Sequence, residues 1–321
     1  MQFNKTNNTN TTKTMAKTQN KPGRRMCGAS EAHQRLCECD PGFRERRNQI
    51  HLQAEAFLMN GRAAKSMDSG KIRTLPVVVH VIYRSAAENI SDAQIQSQID
   101  VLNRDYGAAN PDKSLTPVPW TGLIVDSKVR FALATIAPNG RPTNGITRTK
   151  TKSATFGTQD EVKSSATGGA NAWPTGKYLN LWVCSLGGGL LGYAQFPGGP
   201  PATDGVVILN TAFGTVGTAA APYNLGRTAV HEVGHWLNLN HIWGDSNDCS
   251  GTDHISDTPN AKAPNFGKPV FPHVTCGNGP NGDMFVNYMD YVDDAAMVMF
   301  THGQVARMHS TLIGPRSAIG V

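Results

Sequence analysis

The segment HEVGHWLNLNH, residues 231–241, constrains the fold more than any other feature of this 321-residue chain. His231 and His235 stand four residues apart, a spacing that places both side chains on one face of a helix. His241 follows six residues later, where a straight helix would turn its side chain partly away. The sequence therefore predicts a helix that ends in a bend. Asn238 is the expected hinge, because asparagine tolerates the left-handed backbone conformation better than most residues.

Three imidazoles in this arrangement are a set of candidate zinc ligands. Neutral imidazoles at this spacing can hold one Zn²⁺ from one side. Three protein ligands leave one coordination position open, which is the catalytic rather than the structural arrangement. Glu232 lies beside the first ligand, where it can take a proton from an attacking water and pass it to a leaving amine. The alternative interpretation is a helix with solvated or core histidines.

A second element, NYMDY at residues 287–291, follows about 50 residues after the zinc motif. Met289 suits a methionine turn beneath a metal site, because its thioether is soft and adaptable. Tyr291 can aim its phenol at a developing oxyanion. Taken alone, both residues are more typical of core packing, and their position after the zinc motif is what favours a functional role.

The positive charge of the chain lies in its N-terminal quarter. The net charge is +6 at pH 7, but residues 1–73 carry 14 Lys and Arg against 6 Asp and Glu, and residues 74–321 carry 16 against 18. Nucleic-acid-binding proteins usually have a basic face on the folded domain, so we expect no nucleic-acid partner. No apolar run approaches the ~20 residues that cross a bilayer, and we expect no membrane span.

Composition divides the chain into three parts. Residues 1–23 are polar and rich in Asn, Thr and Lys, which predicts a disordered tail. Residues 24–73 form a second unit, with a charged helical stretch over about 30–58 and a flexible basic linker over 60–73 that proteases would cut. Residues 74–321 hold the zinc motif. The apolar segment of a secretory signal is not visible.

The third part combines β-branched runs with amphipathic helices. PVVVHVIY, residues 76–83, is typical of a buried strand. GGGLLGYAQFPGG, residues 187–199, predicts an edge strand bounded by glycine turns. Strands followed by helices predict an α+β domain. Further strands are predicted over 129–136, 178–186 and 205–209, and helices after Ser91, over 225–237 and from a capping box at 301–304.

Together these motifs resemble the pappalysin family (M43) of metzincin zinc metallopeptidases, especially its ulilysin- and mirolysin-like branch. The resemblance runs from about Cys27 to Leu312. It implies a twisted mixed sheet with backing and active-site helices over an irregular C-terminal subdomain, preceded by a prosegment. It also implies a zinc-dependent endopeptidase that acts on proteins or peptides. The segments that carry it are RRMCG, PVVVHVIY, YLNLWVC, LGYAQFP, HEVGHWLNLNHIWGD, DTP, NYMDY and MFTHGQVARM.

The resemblance assigns roles to the residues already singled out. It implies that His231, His235 and His241 bind the zinc. It makes Glu232 the general base and Tyr291 the stabiliser of the transition state. In such enzymes the edge strand pairs with extended substrate by adding a strand to the sheet. The edge-strand residues here are Gly192, Tyr193 and Ala194.

The resemblance also gives the N-terminal part a function. In several family members a prosegment cysteine binds the zinc and displaces water, and Cys27 matches that cysteine. A thiolate is a strong zinc ligand. The alternative is a stray thiol, since Cys37 and Cys39 are nearby competitors. Cleavage within residues 60–74, beside Arg62 or Arg73, would release the prosegment.

Two further features follow from the resemblance. A disulfide between Cys249 and Cys276 is implied, which fits an oxidising compartment, and two separate thiols are the alternative. Related enzymes bind structural calcium nearby, and oxygen-rich, turn-prone loops suit Ca²⁺. A solvated acidic loop is the alternative there. The expected calcium ligands are Asp253, Asp257 and the carbonyl of Thr258.

The predicted protein is a secreted, monomeric endopeptidase made as a latent zymogen. Some relatives prefer Arg at P1′, the position after the scissile bond, and use an acidic residue to bind it. The sequence leaves open whether Asp293 or Asp294 reaches that pocket, and the basic prosegment could dock on the same acids. The alternative function is a non-catalytic peptide-binding module that zinc only braces, against which the intact Glu232 argues.

Overall fold

The computed structural model describes residues 24–60 and 70–320 of the chain. The predicted disordered tail and most of the predicted linker lie outside these ranges, as does Arg62. Two N-terminal helices come first, followed by a mixed sheet, three further helices and a long irregular region. None of the helices in the described ranges is long and apolar enough to cross a membrane.

One sheet forms the upper part of the molecule. Its strands, β1 to β6 in chain order, are Arg73–Tyr83, Val129–Leu133, Ile146–Lys150, Leu179–Cys184, Gly192–Ala194 and Val206–Leu209. The strand order is β2-β1-β4-β6-β5, and β3 pairs with the second half of β1. Every pair is parallel except β5 with β6. β4 is buried along its whole length, as expected for a parallel sheet covered on both faces.

The edge strand is shorter than the sequence predicts. β5 lies at the edge, as predicted, but only Gly192–Ala194 is extended. Positive φ angles at Gly189 and Gly198 turn the chain before and after the strand, a conformation that glycine adopts readily. β3 was not predicted, because its sequence ITRTK is polar and only partly buried.

The helices cover the sheet and carry the zinc motif. In chain order, α1 to α5 are Ala29–Cys39, Phe43–Met59, Asp92–Tyr106, Arg227–Trp236 and His302–Ile313. α3 packs against β2 and α4, α4 also contacts β5 and β6, and α2 packs on α5. Ser91 caps α3, and Thr301 and Gln304 form the predicted capping box of α5.

The region between α4 and α5 is irregular, as the resemblance implies. Residues 237–301 contain no α-helix or named strand. Internal hydrogen bonds replace regular structure there. Buried Asp290, for example, accepts hydrogen bonds from the backbone and the side-chain amide of Asn265, each at 2.8 Å. Cys249 and Cys276 form a disulfide with a Cα–Cα distance of 5.6 Å. The architecture is therefore the predicted α+β arrangement with an irregular lower part.

Candidate active site

The active-site helix α4 ends in the bend that the sequence predicts. All ten of its residues are buried. Asn238 has φ +77°, the left-handed conformation expected of the hinge. Its side-chain oxygen accepts a hydrogen bond from Arg47 of α2 at 2.6 Å. Gly234 is glycine for a packing reason, because a Cβ there would lie 2.5 Å from the sulfur of Met289. Met289 is thus packed directly under the helix, the place predicted for the methionine turn.

The bend brings the three histidines together. The Nε2 atoms of His231, His235 and His241 lie 3.0 to 3.3 Å from one another. The Nδ1 atoms of His231 and His235 meet the carbonyl oxygens of Tyr288 and Leu239 at 2.7 and 2.8 Å. A carbonyl only accepts, so each of these Nδ1 atoms carries the proton and each Nε2 presents a lone pair.

His241 has a different partner from the other two ligands. Its Nδ1 lies 2.6 Å from the carboxylate oxygen Oδ1 of Asp245. Its Nε2 therefore also turns a lone pair toward the shared centre. Three lone pairs about 3 Å apart repel one another unless a cation lies between them. Burial lowers the pKa of His235 to about 3, so this ring is neutral at pH 7. The donor set fits Zn²⁺, which prefers neutral imidazole nitrogens.

Glu232 lies next to the histidine cluster under the edge strand. Burial raises the pKa of its carboxyl to about 8, and a cation in the cluster would lower that pKa again. The close approach of β5 depends on Gly192, since a Cβ there would lie 2.9 Å from Cγ of Glu232. The predicted base therefore faces the strand predicted to hold substrate.

Tyr291 also packs against the histidine cluster. Its ring packs against His241, with centroids 4.9 Å apart, and against Trp243 at 4.6 Å. Trp243 stacks on His241 at 4.3 Å with a 10° angle between the ring planes. Sequence reasoning missed Trp243, although the motif HIWGD contains it. The phenol oxygen of Tyr291 is 3.4 Å from the carbonyl oxygen of Cys27.

The N-terminal segment crosses this site beside β5. The amide of Gly28 donates to the carbonyl of Gly192, and the amide of Leu191 donates to the carbonyl of Met26, both at 2.9 Å. Cys27 forms a parallel bridge with Gly192. Its sulfur belongs to one cluster with the three histidine nitrogens, all within 4.8 Å of one another, and it lies 3.5 Å from Glu232. The segment therefore occupies the edge of the sheet where a substrate strand would bind.

Arg25 fills a buried pocket next to the site. Its guanidinium is 2% exposed and forms a salt bridge with Asp294, which is fully buried. It also donates to the carbonyl of Val292 at 3.1 Å and to the hydroxyl of Thr228 at 3.2 Å. The acid that meets this arginine is therefore Asp294. The backbone amide of Asp293 instead donates to the carbonyl of Gly267.

The carboxylates predicted to bind calcium accept hydrogen bonds from other groups of the protein. Asp253 accepts hydrogen bonds from the amide of Ile255 at 3.0 Å and the hydroxyl of Thr258 at 2.7 Å. Asp257 accepts from Thr301 at 2.7 Å and from the amide of Gly303 at 2.8 Å, so it caps α5. The calcium site stays a prediction.

A second group of side chains of the types that bind metals lies where α2 meets the irregular region. His51, Glu55 and His254 bring their polar atoms within 4.8 Å of one another. Arg307 lies 2.9 Å from Nδ1 of His51. A guanidinium only donates, so the proton of neutral His51 is on Nε2, which faces Glu55 at 3.0 Å. His51 thus joins the two parts of the chain through Arg307, and its ring packs on that of His254 with centroids 4.1 Å apart.

The fold and the site define a metzincin-type zinc peptidase: a buried active-site helix, a bend, three converging histidines, a methionine turn and an edge strand above them. A family profile described as peptidase M43, pregnancy-associated plasma protein-A, matches residues 163–313. An extracellular metalloprotease of Pyricularia oryzae is 34% identical over 295 residues, which cover 88% of this chain and 87% of that protein. The chain belongs to the M43 pappalysin family and is a zinc-dependent endopeptidase.

Two solved structures extend the comparison to the N-terminal segment. Mature mirolysin of Tannerella forsythia with a cleaved peptide is 53% identical, with a TM-score of 0.76, and covers 78% of this chain and 96% of its own. A promirolysin mutant of the same organism is 48% identical, with a TM-score of 0.84, and covers 92% and 97%. The match to the pro-form thus includes more of this chain. The alternative of a non-catalytic module is not favoured.

Proposed function

We propose that the protein is a secreted endopeptidase held latent by its own N-terminal segment, residues 24–59, and that it prefers basic residues at P1′. The observation that carries the latency is the position of Cys27, which lies beside β5 with its sulfur in the cluster of histidine nitrogens. The secreted location is supported by the names of the relatives in Pyricularia oryzae and Coccidioides posadasii, both extracellular metalloproteases.

In the mature enzyme His231, His235 and His241 would hold the zinc, which supplies a Lewis acid when bound. Glu232 takes a proton from the attacking water and delivers it to the leaving nitrogen. The phenol of Tyr291 donates a hydrogen bond to the oxyanion that forms on the scissile carbonyl. The edge strand holds the peptide extended through main-chain hydrogen bonds.

Latency would come from three contacts that occupy these same groups. Cys27 reaches the histidine cluster and Glu232. Its carbonyl oxygen accepts a hydrogen bond from the phenol of Tyr291 at 3.4 Å. The strand-like pairing of Met26 and Gly28 uses the peptide groups at the edge of β5. Substrate and segment therefore compete for one surface.

The preference for a basic P1′ residue is supported by Arg25. This side chain of the inhibitory segment is buried beside the histidines with its charge on Asp294. A guanidinium fits a carboxylate in a fixed geometry and is less strongly hydrated than an ammonium. We expect substrates with arginine after the scissile bond to place that side chain in the same pocket.

Activation would require a cut between the two parts of the chain. We place the start of the mature enzyme close to Arg73, the first residue of β1. Arg73 donates hydrogen bonds to the carbonyls of Leu312 and Ile319 at 2.7 and 2.8 Å. A cut before this residue preserves the strand and these hydrogen bonds. We further propose that the enzyme is a monomer and binds a structural Ca²⁺ near Asp253, Asp257 and Thr258.

The test is intact-mass spectrometry of the full-length protein with zinc and calcium, wild type beside Glu232→Ala. We expect only the wild type to shorten itself, within residues 60–74. Shortening of both forms would point to a contaminating protease. If neither form shortens, adding trypsin tests activation by another protease. A trypsin-treated wild type that still cleaves no protein substrate would contradict the proposal.

A further inference from the structure

The three candidate zinc ligands are held in two different ways. His231 and His235 are oriented by backbone carbonyls, which no substitution removes. His241 is oriented by a side chain, through the 2.6 Å contact between its Nδ1 and Oδ1 of Asp245. The outer partners of metal-binding histidines fix the tautomer and orientation of the ring and raise its basicity as a ligand. One of the three ligands thus depends on a residue that can be changed.

The turn after His241 is built to bring this carboxylate back to the ring. Gly244 and Asp245 have consecutive positive φ angles of 62° and 56°. The amide of Gly244 donates to the carbonyl of His241 at 2.9 Å, which closes the turn. A Cβ on Gly244 would lie 2.1 Å from the amide nitrogen of Thr252, so only glycine fits. The strained backbone of Asp245, a non-glycine residue, is held where its side chain meets the imidazole.

The same turn also holds the plane of the His241 ring in place. Trp243 stacks on the face of His241 while Asp245 holds its edge. The second carboxylate oxygen of Asp245 accepts a hydrogen bond from Ser30 of α1 at 2.9 Å. The carboxylate therefore has one partner in the zinc site and one in the inhibitory segment, and its side chain is 46% exposed.

We propose that Asp245 is a positioning residue for the third zinc ligand, and that its contact with His241 is needed for tight zinc binding. Ser30 uses the oxygen that His241 does not, so the segment can leave without breaking the contact with the ligand. The proposal concerns the metal affinity of the site and rests on the assignment of His241 as a zinc ligand.

The test measures the zinc dissociation constant by competition with a chelator. It uses the full-length chain carrying Glu232→Ala, which prevents self-cleavage and makes the result independent of peptidase activity. We expect Asp245→Ala to weaken zinc binding by about 10- to 100-fold. Asp245→Asn keeps an acceptor oxygen without the charge, so it should recover part of the loss.

Two control variants separate positioning from other effects. Asp248→Ala removes an equal charge three residues away, where the carboxylate accepts hydrogen bonds from Ser250 instead. Ser30→Ala removes the other partner of Asp245. Both should bind zinc within about twofold of the parent. The melting temperature of the zinc-free protein should be the same with Asp245→Asn, because asparagine tolerates the positive φ angle at this position.

Zinc binding by Asp245→Ala within about twofold of the parent would overturn the proposal. So would an equal loss with Asp248→Ala, which would show an effect of charge alone. A lower melting temperature of the zinc-free Asp245→Asn protein would assign the residue a merely structural role. If the parent itself binds no zinc, the ligand assignment fails together with this inference. If it binds zinc but the wild type cleaves no protein, only the proposed function fails.

Discussion

The N-terminal segment and the remainder of the molecule differ in how much apolar packing and how much polar contact stabilises each of them. Residues 70–320 surround a continuous apolar core to which the strands, α3, α4 and the irregular region all contribute. The segment of residues 24–59 adds smaller apolar contacts, with Ala32 in a cluster beside Trp182 and Phe57 on Ala306, and is otherwise attached to this body by polar side chains. Arg46 donates to the carbonyl of Gly198, Arg47 to Asn238 and Ser30 to Asp245.

The difference matches the proposed fates of the two regions. Apolar burial is the main stabilising force of a domain, so the body can keep its own core when the segment leaves. Polar contacts across an interface determine position and specificity more than affinity. They can be exchanged for water once the chain is cut. The segment is thus attached in a way that permits its removal.

The largest effect is expected from a substitution that removes the chemistry of residues 70–320 and leaves the attachment of the segment to other residues. Glu232→Ala should lower kcat by about 10²- to 10⁴-fold or more, because a general base and acid is lost. Zinc content should not change, since the histidines are intact. Turnover of a fluorogenic peptide and metal analysis check both statements. Near-normal turnover in this variant would refute the role of Glu232.

The next largest effect should come from the one deeply buried ion pair of the segment. Arg25→Ala leaves the Asp294 carboxylate buried without its partner, which costs about 3 kcal/mol or more. Docking of the segment should weaken by about 100-fold. The activity of the uncut protein should rise accordingly.

Arg24→Ala is the matched control for that variant. Arg24 is exposed and its guanidinium lies 4.8 Å from the ring of Phe266, a contact worth about 0.5–1 kcal/mol at such a site. The activity of the uncut protein should change little. Equal activities of the two uncut variants would contradict the importance of the buried pair.

Substrate choice tests whether the pocket of Arg25 is also used in catalysis. Asp294→Asn should reduce kcat/KM for peptides with Arg at P1′ by about 30-fold or more, since a buried partner of the charge is lost. Peptides with Ala at P1′ should be affected far less. Asp293→Asn is the matched control. Equal cleavage of Arg-P1′ peptides by wild type and Asp294→Asn would show that Asp294 does not bind the P1′ residue. A peptide library in which the wild type prefers small or apolar P1′ residues would disprove the basic preference.

The smallest effect is a pH dependence of the segment's attachment. Burial, together with Arg307 and His254, lowers the pKa of His51 from its usual 6.5 to about 4. Protonation is thus disfavoured in the docked state, so the contribution of His51 to docking is complete above pH 6.5. It is lost as the pH falls toward 4. The rate of self-cleavage should rise a few-fold over this window.

His51→Gln tests this pH dependence directly, because glutamine does not titrate. The rise in the rate of self-cleavage between pH 6.5 and 4 should become flatter in this variant. Mature enzyme assayed over the same range corrects for titration of the active site. An unchanged slope in His51→Gln would assign the pH dependence to other groups.

Local sequence patterns predicted more of this molecule than distant contacts did. The spacing of His231 and His235 and the hinge at Asn238 are properties of one short segment, so they could be read directly. β3 escaped prediction because ITRTK, although three of its five residues are β-branched, has only one apolar residue and so lacks the apolar run that marks the buried strands. The role of the segment came from a resemblance at Cys27, not from any spacing.

Contacts between distant residues could not be read from the sequence. Arg25 and Asp294 are 269 positions apart, and nothing in the local sequence distinguishes Asp294 from Asp293. Trp243 and Asp245 could have been predicted, because both follow His241 closely in the sequence. A residue four positions after His241 can return to it where the chain turns at a glycine. Asp245 was nevertheless not singled out from the sequence.

The hinge residue has a consequence for inhibitor selectivity. Glycine could adopt the backbone conformation of Asn238, but it would have no side-chain oxygen for Arg47. A small molecule that anchors on the zinc cluster and extends a guanidinium to this oxygen would gain an acceptor that a glycine hinge lacks. Such a compound would discriminate between peptidases by the residue at their bend.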